Sequence, residues 1–113
     1  MAIGNKKLLE ILRNLTSEDP DSRDRACGIV ADLVYAFDTH EMNSVSSTLA
    51  TLAVEETDKR LRESELHALM ELGDSPYFDA KFVSTLNEID RNTLVGSEIE
   101  YFEYFDAEYF NRQ

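Results

Sequence analysis

The chain has 113 residues and a formal net charge of −12, with 23 acidic side chains against 11 basic ones. That length predicts one domain, and a hydrophobic content of 42% excludes a wholly disordered acidic chain. Binding to nucleic acid or to an anionic membrane needs clustered Lys and Arg, which this composition does not supply. The single cysteine, Cys27, excludes an intramolecular disulfide and predicts a reducing, cytoplasmic setting. No apolar run approaches the roughly 18 residues of a membrane span. Residues 1–15 carry Lys6, Lys7, Glu10 and Arg13 through their apolar pattern, so they do not read as a signal peptide.

Apolar residues recur at helical spacing along most of the chain. Ile3, Leu8, Leu9, Ile11, Leu12 and Leu15 predict a helix over about 3–15. Asp19-Pro20 places a capping side chain before a proline suited to a first helical turn. Ala26, Ile29, Val30, Leu33, Val34 and Phe37 then predict a helix over 20–37. Met42, Val45, Leu49, Leu52 and Ala53 predict a third over 41–54. Leu61, Leu66, Ala68, Leu69 and Leu72 predict a fourth over 58–72, ended by Gly73 in a left-handed conformation. Ser75-Pro76 repeats the cap-then-proline pattern, and Phe78, Phe82, Val83, Leu86 and Ile89 predict a fifth over 76–89. Residues 98–110 hold six aromatics, which favour strands. The adjacent pairs Tyr101-Phe102 and Tyr104-Phe105 break strict alternation, and on a helical wheel Tyr101, Phe102, Phe105 and Tyr109 gather on one face opposite Glu100, Glu103 and Ala107. Helix and strand both stay open there, with the wheel favouring helix.

A shift of 37 residues superimposes the apolar positions Leu8, Val45 and Phe82; Leu12, Leu49 and Leu86; and Leu15, Leu52 and Ile89. The segments from Leu15 to Arg25 and from Leu52 to Arg62 match at Leu, Glu, Asp and both Arg, and Ala31 meets Ala68. Periods of this length belong to stacked helical units that bury their apolar faces only against neighbours. The run Asp19-Pro20-Asp21 through Arg25 and then Leu33, with Asp58, Leu61-Arg62, Leu66 and Leu69, resembles the turn and second helix of a HEAT-like repeat. The resemblance covers residues 3–72 and weakens over 76–113, where the Asp and Arg positions become Val95 and Ile99. It implies an all-α domain over 1–113 with about six helices, in three HEAT-like pairs (about 3–37, 41–73 and 76–110) forming a short right-handed solenoid. In such repeats the Asp caps the second helix and the Arg braces a neighbouring turn, and the whole serves as a binding scaffold.

The charge is unevenly distributed. Residues 1–37 carry a net of −1, residues 38–75 a net of −6 and residues 76–113 a net of −5. With His40 and His67 the only histidines, neither in a ligand spacing, no metal or cofactor is predicted. No nucleophile stands beside a base, no glycine-rich phosphate loop occurs, Ser44, Ser46 and Ser47 read as polar surface, and Cys27 reads as a buried structural thiol. No catalytic residues and no enzyme activity are therefore predicted.

Two stretches are candidates for binding a partner. On the fourth helix Glu63, His67, Met70, Glu71 and Asp74 share one outward face. This reads as an acidic strip with Met70 as an adaptable apolar contact, against the plainer reading of a solvated face with i,i+4 contacts. In the C-terminal segment Phe102 and Phe105 read as core, whereas Tyr104 and Phe110 are predicted to be exposed beside Glu100, Glu103, Asp106 and Glu108. Tyr77 and Phe78 beside Asp74 and Asp79 carry the same chemistry. Rings anchor a partner and carboxylates pair with its Lys and Arg. A small, acidic, helical, non-enzymatic protein with such patches resembles the bacterial immunity proteins of contact-dependent or polymorphic toxin systems, in type rather than in motif. That resemblance implies a basic partner, a toxin domain such as a nuclease, bound by a monomer or weak dimer. The alternative is a HEAT-like adaptor or assembly factor holding a peptide or subunit.

Overall fold

The computed structural model describes residues 2–110. Among these the fold is entirely helical. Five α-helices run α1 Asn5–Leu15, α2 Pro20–Asp32, α3 Thr39–Glu55, α4 Lys59–Leu72 and α5 Ser97–Phe105. Tighter 3₁₀ segments lie at Val34–Ala36, Ala80–Glu88 and Arg91–Thr93, and a π-helical turn, Asp106–Phe110, follows α5. No helix is long and apolar enough to cross a membrane among the described residues.

Aspartates start most of these elements. Asp19 caps α2 with Pro20 in its first turn, accepting from the Asp21 N–H at 3.2 Å. Asp58 caps α4 through the N–H groups of Arg60 and Leu61. Asp38 and Glu41 form a reciprocal capping box at α3. Asp79 and Asp90 cap the next two 3₁₀ segments. An aspartate accepts from helix donors that otherwise have no partner, and its charge suits the helix N-terminus.

Four expectations about these elements need correction. The helix predicted over 76–89 is a 3₁₀ segment confined to Ala80–Glu88. Ser75 does not cap it; its hydroxyl accepts from the Tyr77 N–H at 3.1 Å and turns the chain. The buried residues of this stretch, Val83, Leu86 and Ile89, recur every three positions, which is the period of a 3₁₀ helix and not of an α-helix. The second helix stops at Asp32 rather than 37, because Val34 and Phe37 are buried at the same tight spacing before the chain extends into the Asp38 cap. Gly73 ends α4 with right-handed φ −60° rather than left-handed geometry. Its role is spatial: a Cβ there would lie 2.5 Å from the Tyr109 hydroxyl and 3.5 Å from that of Tyr104. Residues 98–110, where strand was the other reading, are helical throughout.

The packing runs in two rows. On one side α1 packs on α3, and α3 on Ala80–Glu88; on the other α2 packs on α4, and α4 on α5. Cross-row contacts join α1 to α2 and α3 to α4. The molecule measures 38 × 35 × 19 Å, so its thin dimension is about that of two packed helices. The positions aligned by the 37-residue shift fall into this core: Leu8, Leu15, Val45, Leu49, Leu86 and Ile89 are buried, and Leu12, Leu52 and Phe82 half-buried. Arginines aligned by the same shift diverge. Arg25 is exposed, whereas Arg62 is buried. Bracing of the first turn falls instead to Arg23, which donates to the carbonyls of Ser17 at 2.9 Å and Glu18 at 3.2 Å.

Arg62 fixes α5 to α4. Its Nε donates to Glu98 Oε2 at 2.7 Å and its Nη2 to Oε1 at 2.9 Å, a two-pronged pair, while Nη2 also reaches the Thr93 carbonyl at 2.9 Å. Glu98 takes a further bond from the Val95 N–H at 2.9 Å. Burial raises the Glu98 pKa, but the guanidinium and that N–H outweigh it and hold the carboxyl below its ordinary range. Removing one partner of such a pair leaves a buried charge unanswered. Arg62→Met is therefore expected to lower unfolding free energy by about 3–5 kcal/mol in chemical denaturation, and adding Glu98→Gln should recover much of the loss. Equal stability of the single and double variants would show that the pair is not coupled.

Candidate functional site

The middle helix of the second row, α4, forms a ridge. Glu63 lines both flanking grooves, one against α2 with Asp21, Asp24 and Asp58, the other against α5 with Val95, Gly96 and Ser97. The acidic strip expected on α4 is thus on the surface, and α5 lies along it. The Ser97 hydroxyl donates to the Glu63 carboxylate. One turn on, the His67 ring lies 5.8 Å from the Tyr101 ring, and His67 Nε2 lies 3.3 Å from Glu71 Oε1. At the end of α4, Asp74 is exposed and Gly73 abuts the Tyr104 and Tyr109 hydroxyls.

The predicted residues divide by exposure. Glu63, His67, Asp74, Tyr77, Glu100 and Glu108 are exposed and Glu71 is half-buried. Met70 and Tyr104 are half-buried and pack on the hydrophobic core, so neither is the freely exposed contact that spacing implied. Phe110 is likewise half-buried against the core. The reason is the aromatic cluster. Phe105 is fully buried, the Tyr104 and Tyr109 rings meet at 6.0 Å edge to face, and Tyr109 reaches Phe78 at 5.3 Å. Burial, and then the neighbouring Tyr104 hydroxyl, push the Tyr109 phenol above its ordinary pKa. The wheel reading of 98–110 holds in part: Phe102 and Phe105 are buried, Tyr101 and Tyr109 half-buried, and Glu100, Glu103 and Ala107 exposed. Ile99 on α5 and Val95 just before it add exposed apolar surface, at 46% and 47%.

Tyr77 stands apart from the ridge. It lines an open cleft of about 590 Å³ with Phe78, Asp79, Lys81, Phe82 and Tyr109. Tyr109 belongs to both regions and joins them. The sequence signal for this cleft was the density of aromatics around Pro76; what spacing did not give was that the C-terminal turn comes back to form its wall.

No protein-family model, curated protein or solved structure matches the chain. The site must therefore be judged on its own chemistry. No group of three His, Cys, Asp or Glu is placed to hold a metal ion among the described residues. A carboxylate-rimmed ridge backed by rings, with grooves on both sides, can present hydrogen-bond acceptors and flat apolar area to a cationic surface.

A second cluster was not foreseen from the sequence. Glu65, on the inner side of α4, is 0% exposed and neither carboxyl oxygen has a partner other than the carboxyl of Glu56. Burial first, and then the hydrogen bond with Glu56, push the Glu65 pKa up to about 9, so Glu65 keeps its proton and donates it to Glu56. The Glu56 carboxylate accepts from the Arg23 guanidinium at 3.4 Å and from the Asp58 N–H at 3.2 Å. Burial, and next the negative charge that Glu65 takes on above about pH 9, push the Cys27 thiol up to about 12, which leaves it unreactive. The unfolded chain releases the Glu65 proton near the ordinary 4.5 whereas the folded chain keeps it to about 9. Folded protein then binds more protons across that window, and stability falls as pH rises through it. Glu65→Gln, which keeps a donor toward Glu56 without the ionisation, is expected to raise stability at pH 7 by about 2–3 kcal/mol and to flatten this slope in urea titrations between pH 5 and 9. An unchanged slope would place the responsible proton elsewhere.

Proposed function

We propose that this chain is an inhibitory binding protein of the immunity type, which masks a basic toxin domain with the α4–α5 face. We also read its helices as three stacked units of a short right-handed solenoid of HEAT-like type. The order of packing, with α1, α3 and residues 80–88 in one row and α2, α4 and α5 in the other, supports the solenoid reading. The observation that carries the functional reading is the coincidence of charge and surface. Residues 38–113 hold a net of −11 out of −12, and within them Glu63, Glu71, Asp74, Glu100 and Glu108 border the ring-backed ridge.

The physical logic follows from the partner's task. A nuclease binds phosphate in a basic cleft. Carboxylates set out along a rigid helix enter the same field, speed encounter and pair with the cleft's Lys and Arg. The rings beneath supply flat, rigid contact area at low entropic cost. Because the first unit is nearly neutral, it serves as scaffold. A HEAT-like adaptor is the second reading, favoured by the groove between α2 and α4, whose carboxylates Asp21, Asp24, Asp58 and Glu63 surround one cation, Arg60.

Two measurements test these readings. Co-expression with the last domain of a toxin encoded beside this chain's gene should protect the cell, and absence of protection would favour the adaptor. Charge reversal at Glu71 and Asp74 together should weaken binding to that domain by more than tenfold, with a steep loss in salt. Unchanged affinity would remove the α4–α5 face from the interface.

A further inference from the structure

We infer that the aromatic cleft beside Tyr77 is an arginine-side-chain site for the basic partner, an inference that rests on the proposed function and names the group recognised. The chain itself indicates what the cleft takes. The Lys81 ammonium lies 5.3 Å from the centre of the Phe82 ring and 3.8 Å from the Asp79 carboxylate. A cation from the same molecule thus already sits between a ring face and a carboxylate, the two elements of a cation site.

That internal cation is weakly held. The side chains of Lys81 and Asp79 are 72% and 48% exposed, so their pairing is largely screened by water. The cleft, at about 590 Å³, is larger than the ammonium needs, and Tyr77, Phe78 and Tyr109 give its wall aromatic area beside the polar Thr39 and Asn43. Tyr77 is 47% exposed at its edge, and Phe78 meets Tyr109 at 5.3 Å with the rings tilted by 41°. A planar guanidinium stacks on such faces and presents several N–H donors to one carboxylate, whereas an ammonium does neither as well. An incoming arginine would displace Lys81 into solvent and take Asp79 as its acceptor. The overall charge of −12 favours approach of a cationic surface.

The test uses the full chain and three short blocked peptides, Gly-Arg-Gly, Gly-Lys-Gly and Gly-citrulline-Gly, followed by amide NMR shifts. The arginine peptide is expected to shift residues 39–43, 77–82 and 109, with affinity at least threefold above the lysine peptide and no saturable shift with neutral citrulline. Lys81→Met, which empties the cleft of its own cation, should tighten arginine binding at least threefold. Asp79→Asn, which retains an acceptor for the Lys81 N–H cap, should weaken it by a similar factor. No shift at these residues, equal binding of citrulline, or a Lys81→Met variant that binds no more tightly would each overturn the inference. A peptide that binds while the chain fails to protect against the toxin would leave this site standing and remove the proposed function. Protection without peptide binding would do the reverse.

Discussion

A carboxyl group taken out of water must be answered by a donor or give up its charge, and this acidic chain buries three of them. Each is answered differently. Glu41, 2% exposed, accepts from the backbone N–H groups of Ile3, Gly4 and Asp38 at 3.1, 2.9 and 3.0 Å. It thereby ties the start of the chain to the start of α3. Glu98 is answered by the Arg62 guanidinium, and Glu65 keeps its proton and turns it toward Glu56. These three solutions set where α1, α5 and the α2–α4 contact lie, and so they set the spacing of the rows.

The external surface follows from that internal accounting. α5 can lie beside α4 because Arg62 reaches across to Glu98 and to the Thr93 carbonyl, and α5 in that position brings Tyr101 to His67 and Ser97 to Glu63. Exposed carboxylates, among them Glu63, Asp74 and Glu100, are left at the rim of this two-helix surface. Charge that opposes folding when buried is thereby available for recognition when displayed. The reading of the chain as a binder of a basic protein rests on this division between inner and outer acids.

The C-terminal aromatics close the same end of the molecule. Phe102 and Phe105 enter the core, with the Arg91 guanidinium 5.1 Å from the Phe102 ring and paired with Asp106. Tyr104 and Tyr109 fold over the end of α4, where Gly73 leaves room for their hydroxyls. The π-helical turn at 106–110 sets Tyr109 one step away from ideal α-helical phase, facing Phe78. One residue therefore serves the core cap and the wall of the aromatic cleft together.

Helix positions and most of the core were legible in the chain, because both depend on local spacing and on caps within a few residues. Asp19-Pro20, Asp58 and the apolar stripes through Leu15, Val30, Leu49 and Leu69 are signals of that kind. The acidic strip on α4 was legible for the same reason. Over 76–89 the local signal was ambiguous, since Val83, Leu86 and Ile89 satisfy a period of three as well as a helical one, and packing against α3 selected the tighter form. The sequence by itself determined the charge, the apolar periodicity and helix over most of the chain, with strand left open at 98–110. Only the tertiary structure decided which of its many carboxyls turn inward, that Met70 and Tyr104 are half covered, and that Tyr77, Asp79 and Tyr109 share a cleft. These outcomes depend on contacts between residues 20 to 40 positions apart, such as Arg62 with Glu98 and Phe78 with Tyr109, whose pairing no local spacing encodes.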